Sequence, residues 1–227
     1  MSDYKPDRYK KFIDLLHFFN GKHRAVDVFR DFVVMFAISI KNRIDYKQED
    51  EDIYLSIVKK YTRDEMNIII KLVTELFSIC SNLDETRDVL GEIYSQIGGL
   101  SKGLSQVFTP NHIAKMMANM ILDLKDNKLK ENEYITVLDP TCGSGVLLVG
   151  AVNTLESKKI NYEDKVLFIG QDLDFICVCM TYIQMCMNCM AGYVIQGNSL
   201  TNETFKIFYT PQYYYGKWNN KVEEKCA

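Results

Sequence analysis

Residues 137–145 read VLDPTCGSG, and this segment decides the fold class. An apolar stretch ends in Asp139, and a Gly-x-Gly turn made by Gly143 and Gly145 then opens a helical stretch. Glycines at such a turn let the backbone approach a ligand closely, and the free N–H groups at a helix start suit a polar or anionic group. A nicotinamide fingerprint would have a third glycine where Leu148 stands. The segment therefore indicates a ligand-binding strand, turn and helix that is not a nicotinamide site.

The flanking sequence alternates short β-rich segments with helical ones. Helices are predicted to begin near Ser144 and Asp174. Strands are predicted at residues 134–138, 166–169, 193–195 and 205–209. Strands that alternate with helices in this way are typical of a parallel sheet with crossover helices. The predicted fold class is therefore α/β.

The N-terminal part of the chain has a different pattern. Residues 8–98 carry apolar side chains at helical spacing, which predicts about five helices. The acidic run at residues 48–52 interrupts this pattern and is interpreted as a solvated turn. We therefore predict an N-terminal helical domain over residues 1–100 and an α/β domain over residues 101–227.

Composition excludes several classes of protein. Of the 227 residues, 47% are hydrophobic and 25% are charged, which excludes a disordered or fibrous chain. The formal net charge is -3, and no basic arm of the kind that binds nucleic acid is present. The longest strongly apolar run, residues 32–40, is too short to span a bilayer. The polar N-terminus and the odd number of cysteines, seven, favour a cytoplasmic protein with reduced thiols.

Two clusters permit more than one interpretation. Cys177, Cys179, Cys186 and Cys189 resemble metal ligands in spacing. On one helix, however, Cys177 would face away from the other three, so we expect buried thiols and propose no metal site. The aromatic tail at residues 213–218 either stacks on nucleic-acid bases or packs on protein, and packing is the more common role.

Short motifs, in a fixed order, are similar to those of S-adenosylmethionine-dependent adenine-N6 DNA methyltransferases. They are DVLGEIY at 88–94, QVFTP at 106–110, DPTCGSG at 139–145, GQD at 170–172 and GNSL at 197–200. The chain resembles in particular the modification (M) subunits of type I restriction-modification systems. This resemblance implies S-adenosylmethionine as cofactor. It also implies a Rossmann-like methyltransferase fold, with an incomplete parallel sheet, preceded by an N-terminal α-helical domain.

The resemblance assigns cofactor contacts to residues of these motifs. Asp172 is expected to accept both ribose hydroxyls, and Asp139 is expected to hold the loop or meet the methionine ammonium. The side-chain carbonyl of Asn198 is expected to accept from the adenine amino group. The other cofactor-binding residues implied by the resemblance are Phe108, Thr109, Pro110, Pro140, Gly143 and Gly145.

The resemblance also places catalysis in a tetrad that follows the fourth strand. In the family this tetrad is Asn/Asp-Pro-Pro-Phe/Tyr, which accepts hydrogen bonds from the target amine and stacks an aromatic ring on a flipped base. The matching catalytic positions are Thr210, Pro211, Gln212 and Tyr213. Thr210 stands where the family has an amide or carboxylate, and Gln212 stands where it has the second proline.

Three hypotheses about function remain open. The chain is either a methyltransferase acting on adenine N6 in DNA, or a degenerate methyltransferase-like module that regulates or completes a restriction-modification system through protein contacts. The third hypothesis is methylation of a substrate other than DNA, because the fold alone does not choose a substrate. The family's sheet has seven strands and only four are predicted before Tyr213, so the α/β domain is expected to be truncated. A protein partner or self-association is expected to cover the exposed sheet edge, DNA is the expected substrate, and no membrane association is expected.

Overall fold

The protein divides into two compact units. The computed structural model describes residues 8–98, 109–122 and 134–226. The first unit includes residues 8–84 and 89–98, whereas residues 85–88 belong to the second unit together with the described residues from 109 onward. The predicted domain boundary after residue 100 lies outside the described residues and stays a prediction.

Five helices form the described part of the first unit, as the apolar spacing predicts. Their core is aromatic, because the ring of Phe12 packs edge to face on Phe29 and Phe32 with centroids 6.3 and 5.6 Å away. Thr62 and Glu65 cap the fourth helix reciprocally. The helices are α1 (Lys10–His17), α2 (Ala25–Lys41), α3 (Gln48–Val58), α4 (Arg63–Ser81) and α5 (Val89–Gln96).

The acidic run at residues 48–52 is helical, so its interpretation as a solvated turn is wrong. It forms the start of α3, where carboxylates interact favourably with the positive end of the helix dipole. Asp50 is buried and accepts a hydrogen bond from the Lys41 ammonium at 2.8 Å. Asp50 thus forms a buried ion pair between two helices, whereas Gln48, Glu49 and Asp52 remain exposed.

The second unit is built on a four-stranded sheet in the order β1-β2-β3-β4. β1 pairs with β2 and β2 with β3 in parallel, which confirms the α/β fold class. The strands are β1 (Ile135–Asp139), β2 (Val166–Asp172), β3 (Gly192–Asn198) and β4 (Glu203–Tyr209). The helices are α6 (Asn111–Ile121), α7 (Val146–Ser157), α8 (Tyr162–Lys165), α9 (Phe175–Met187), α10 (Pro211–Tyr215) and α11 (Trp218–Cys226).

β4 departs from the predicted parallel arrangement because it runs antiparallel to β3. Only residues 199–202 join the two strands, and a parallel connection needs a dozen or more residues. Asn202 adopts the left-handed conformation in this turn, with φ of 59°. The chain therefore returns as a hairpin, which brings Glu203 opposite Asn198 and Tyr209 opposite Tyr193.

The ends of the sheet are β1 and β4, each of which has one neighbouring strand among the described residues. Leu138 on β1 is 58% exposed. The aromatic tail packs partly on its own unit, because Trp218 is fully buried beside Leu167 and Ala191. Tyr215 is exposed. Coverage of the free edges by a partner chain or a second copy stays a prediction.

Close packing of α6 on α7 fixes the segment that follows the predicted Thr109-Pro110 motif. A Cβ atom on Gly150 of α7 would lie 2.8 Å from the carbonyl carbon of Ala114 on α6, so only glycine allows this approach.

None of the helices in the described residues combines the length and the apolar character needed to cross a membrane.

Candidate functional site

Three polar side chains stand at one edge of the sheet. Asp139, Asp172 and Asn198 are the last residues of β1, β2 and β3. These strands are parallel, so their carboxyl ends meet at the same edge, which is where open α/β sheets bind ligands. The structure thus brings together three residues that the sequence motifs assign to cofactor binding.

The glycine-rich loop connects this edge to α7. Gly143 and Gly145 have φ of 54° and 97°, which is the left-handed region that favours glycine. The N–H of Cys142 donates to the carbonyl of Gln171 at 2.8 Å, which fastens the loop to β2. Burial raises the pKa of the Cys142 thiol, so this side chain stays protonated and acts as packing.

Thr181 of α9 is a site residue that sequence reasoning missed. Its hydroxyl donates to the carbonyl of Gly143 at 2.9 Å. A Cβ atom on Gly145 would lie 3.1 Å from the Thr181 hydroxyl oxygen and 3.3 Å from its Cα. The second glycine therefore leaves room for the close approach of α9 and permits the left-handed backbone, and no local sequence signal pointed to this contact.

Asp172 organises the loop through both carboxylate oxygens. Oδ2 accepts from the N–H of Gly143 at 2.9 Å, and Oδ1 accepts from the N–H of Asp174 at 2.9 Å. A carboxylate oxygen has a second lone pair, so each oxygen can also accept a hydroxyl hydrogen bond. The side chain can therefore anchor the loop and bind a diol at the same time.

Asp139 carries the least satisfied polar atom at this edge. The residue is 4% exposed, and its Oδ1 accepts from the N–H of Thr141 at 3.1 Å. Its Oδ2 is buried and has no hydrogen-bond partner among the described residues. Burial raises the pKa of the Asp139 carboxyl, and the nearby charge of Asp172 adds to the rise. Buried polar atoms are nearly always hydrogen-bonded, so this oxygen is suited to a cationic donor from a ligand.

The other predicted cofactor residues differ in how the structure uses them. The Oδ1 atom of Asn198 accepts from the N–H of Leu200 at 3.0 Å, so it caps the turn into β4. Thr109 is half-buried and Pro110 is exposed at the start of α6. Pro140 is exposed in the loop. Phe108 lies outside the described residues.

The predicted catalytic tetrad lies at the opposite edge of the sheet. β4 runs antiparallel to β3, so its last residue, Tyr209, pairs with Tyr193 near the start of β3. Residues 210–213 follow Tyr209 and therefore lie near that end of β3. Tyr193 and Asn198 are five steps apart along the strand, a span of roughly 16 Å. The structure therefore does not bring the tetrad to the edge that holds Asp139.

Within the tetrad, the side chain of Thr210 is part of the fold. Its hydroxyl is fully buried, donates to the carbonyl of Met190 at 2.9 Å and accepts from the N–H of Gly192 at 3.1 Å. The Tyr213 ring packs on Tyr209 with centroids 4.8 Å apart. Both contacts are internal to the second unit.

Thr210→Val is expected to lower the free energy of unfolding by about 1–3 kcal/mol, because valine leaves the buried groups of Met190 and Gly192 without a partner. Urea denaturation measures this loss, and Thr210→Ser, which keeps the hydroxyl, should retain most of the stability. A valine variant that is fully stable but loses methyl transfer would instead support the catalytic role predicted from the sequence.

The cysteines of α9 and its C-terminal turn are thiols in a packed environment. Cys177 and Cys179 are buried, and Cys186 and Cys189 are half-buried. Burial raises the pKa of Cys186 to about 12. Within the described part of the chain, no three His, Cys, Asp or Glu side chains are grouped so that they could hold a metal ion.

Known proteins match this chain over part of their length. The type I restriction enzyme MjaVIII methylase subunit of Methanocaldococcus jannaschii is 24% identical over 152 residues, which are 64% of this chain and 24% of that protein. The type II restriction enzyme and methyltransferase RM.BcgI of Heyndrickxia coagulans is 30% identical over 82 residues, 34% of this chain and 12% of that protein. The chain thus spans about a quarter or less of the length of these relatives.

Among solved structures, the type I restriction-modification system methyltransferase subunit from Streptococcus thermophilus matches with a TM-score of 0.40 and 14% identity. The match covers 87% of this chain and 58% of that one.

A match to a protein-family model identifies the family of this chain. The model for N-6 DNA methylase matches residues 85–225, which is well over half of the sequence. The match begins at the segment 85–88, which the structure assigns to the second unit. S-adenosylmethionine is the expected cofactor, and the chain belongs to the N-6 DNA methylase family.

Proposed function

We propose that this chain binds S-adenosylmethionine at the carboxyl edge of its sheet, as the cofactor-binding part of an adenine-N6 DNA methyltransferase of the type I restriction-modification kind. The observation that carries the proposal is the buried, unpartnered Oδ2 of Asp139 at the end of β1. Such an oxygen needs a donor, and the methionine ammonium of the cofactor is a charged one.

The residues at this edge fit the parts of the cofactor. Asp139 would accept from the ammonium, and Asp172 would accept from the ribose hydroxyls with the lone pairs left free by Gly143 and Asp174. When bound, S-adenosylmethionine supplies an activated methyl group. Gly143 and Gly145 adopt the left-handed backbone of the loop and carry no side chain that could obstruct a ligand at their own positions.

Methylation of DNA is the proposed use of this site, with DNA and further polypeptide as partners. A target amine needs hydrogen-bond acceptors beside the methyl group, and in the family these come from the tetrad. Residues 210–213 begin instead with a threonine hydroxyl that is bonded to Met190 and Gly192. We therefore propose that the acceptors for the adenine amine lie outside residues 210–213.

The second candidate is a methyltransferase-like module that binds the cofactor and acts through protein contacts. The burial and hydrogen bonding of Thr210 favour it, because these leave the tetrad in a structural role.

An assay with tritium-labelled S-adenosylmethionine and unmethylated double-stranded DNA distinguishes the two. Label recovered in N6-methyladenine, and absent with Asp172→Ala, supports the methyltransferase. If the protein binds the cofactor but no label enters DNA, the result supports the binding module. The assay is run both without and with a cell extract that supplies companion chains. A folded chain that does not bind the cofactor contradicts both.

The affinity for S-adenosylmethionine is expected to fall as the pH is lowered. The pKa of Asp139 is raised above its ordinary value of about 3.9, and only the ionised carboxylate attracts the ammonium. At a pH near the raised pKa, binding therefore releases a proton from the Asp139 carboxyl. The affinity rises with pH until Asp139 is already ionised in the ligand-free protein. Calorimetric titrations at a series of pH values above about 4 measure the trend. Asp139→Asn should flatten it, whereas an equal slope in this variant would assign the effect to another group.

A further inference from the structure

Three buried polar side chains, those of Asp88, Ser144 and Gln184, form a hydrogen-bonded ring that includes one residue of the glycine-rich loop. The Asp88 carboxylate accepts from the Ser144 hydroxyl through Oδ2 and from the Gln184 amide through Oδ1, the latter at 2.9 Å. The same amide also donates to the carbonyl of Ser144. All three residues are 4% exposed or less. The ring therefore joins the loop, α9 and the segment that precedes α5.

Asp88 also connects to α6. Its N–H donates to the Asn111 side chain at 3.0 Å, and Asn111 is the first residue of α6, directly after Thr109 and Pro110. The preceding chain is held as well, because Asn153 of α7 donates to the carbonyl of Thr86 at 2.7 Å. Asp88 is thus bonded to three elements that carry or follow the cofactor motifs.

The chemistry of the ring makes its geometry restrictive. A carboxylate in the interior is tolerated only with hydrogen-bond donors, and an ionised carboxylate only accepts. Ser144 lies between Gly143, whose N–H binds Asp172, and Gly145, which is the N-cap residue of α7. Fixing Ser144 therefore fixes the two loop glycines on either side of it.

We propose that Asp88 is a positioning residue for the cofactor loop: it holds Ser144 against Gln184 and so keeps the Gly143 N–H aimed at Asp172. This inference deepens the proposed function and rests on it. Asp88 does not touch the cofactor in this proposal, and its effect passes through Ser144.

Removing the charge of Asp88 tests the proposal. Asp88→Asn replaces the charged acceptor of the Ser144 hydroxyl and the Gln184 amide with a neutral amide, which weakens both hydrogen bonds, so we expect S-adenosylmethionine affinity to fall about tenfold. Ser144→Ala, which deletes one hydroxyl, should weaken affinity in the same direction.

A control separates positioning from general destabilisation. Leu167→Val removes buried volume beside Trp218 and should lower the melting temperature without changing cofactor affinity. Equal affinities of the folded wild type, Asp88→Asn and Ser144→Ala would overturn this inference alone. If Asp88→Asn does not fold, Ser144→Ala decides. A folded wild type that does not bind S-adenosylmethionine would overturn the proposed function and this inference with it.

Discussion

Asp139→Asn is expected to weaken S-adenosylmethionine binding by about 10- to 100-fold while the fold persists. Asparagine keeps the shape of the side chain, and its carbonyl oxygen can still accept from the N–H of Thr141. It cannot offer a charged acceptor to an ammonium, and hydrogen bonds to charged groups contribute about 1.5–3 kcal/mol. Isothermal titration calorimetry measures the dissociation constants of the two proteins.

The stability of the same variant provides the control. The raised pKa of Asp139 means that folding disfavours its ionised form, so the wild type loses stability as the pH rises toward that pKa. Asparagine cannot ionise and avoids this loss, so the melting temperature at neutral pH should be higher in Asp139→Asn. A variant that binds as tightly as the wild type would contradict the role of Asp139. A variant that unfolds would indicate a structural role instead.

Asp172→Ala is expected to have the larger effect, a loss of affinity of about 100-fold or more. The substitution removes the proposed acceptor for the ribose hydroxyls. It also leaves the N–H groups of Gly143 and Asp174 without the oxygens that hold them, so the loop loses its anchor on β2. Two lost hydrogen bonds to a charged group account for a change of this size.

Asp174→Ala is the matched control for this substitution. Asp174 caps α9 by accepting from the N–H of Ile176 at 2.9 Å, so its loss should cost about 1 kcal/mol of stability. Cofactor affinity should remain close to that of the wild type. Equal losses of affinity in both variants would show that any disturbance of this turn affects binding, and would contradict a specific role for Asp172.

The sequence predicts the local features of the site well. The strand that ends at Asp139, the glycine turn and the acid at position 172 follow from residue types within short windows. Their convergence at one edge follows from parallel pairing, which alternating strands and helices indicate. Contacts between distant segments were not predictable in this way, because Thr181 reaches Gly143 only through the packing of α9.

The direction of β4 is the main structural error of the sequence-based prediction. The β-rich stretch at residues 205–209 indicates a strand but not its orientation. The nine residues between the predicted strands at 193–195 and 205–209 were the available signal, since a parallel crossover needs a dozen or more. The antiparallel return carries Thr210 to the far edge of the sheet, where its hydroxyl completes internal hydrogen bonds.

The acidic run shows the same limit of local reasoning. Five polar residues in succession resemble a solvated turn. In the structure they begin α3, and Asp50 pairs in the interior with Lys41, the last residue of α2. This contact joins two helices, so the acidic run alone did not reveal it.

Calorimetric titration of the purified chain with S-adenosylmethionine tests the central claim most directly, with 5′-methylthioadenosine as the comparison ligand. We expect one saturable site with a dissociation constant on the order of micromolar. We also expect weaker binding of methylthioadenosine, because that compound lacks the ammonium that would meet Asp139. A folded chain that binds neither ligand, or that binds both equally, would contradict a cofactor site built on Asp139 and Asp172.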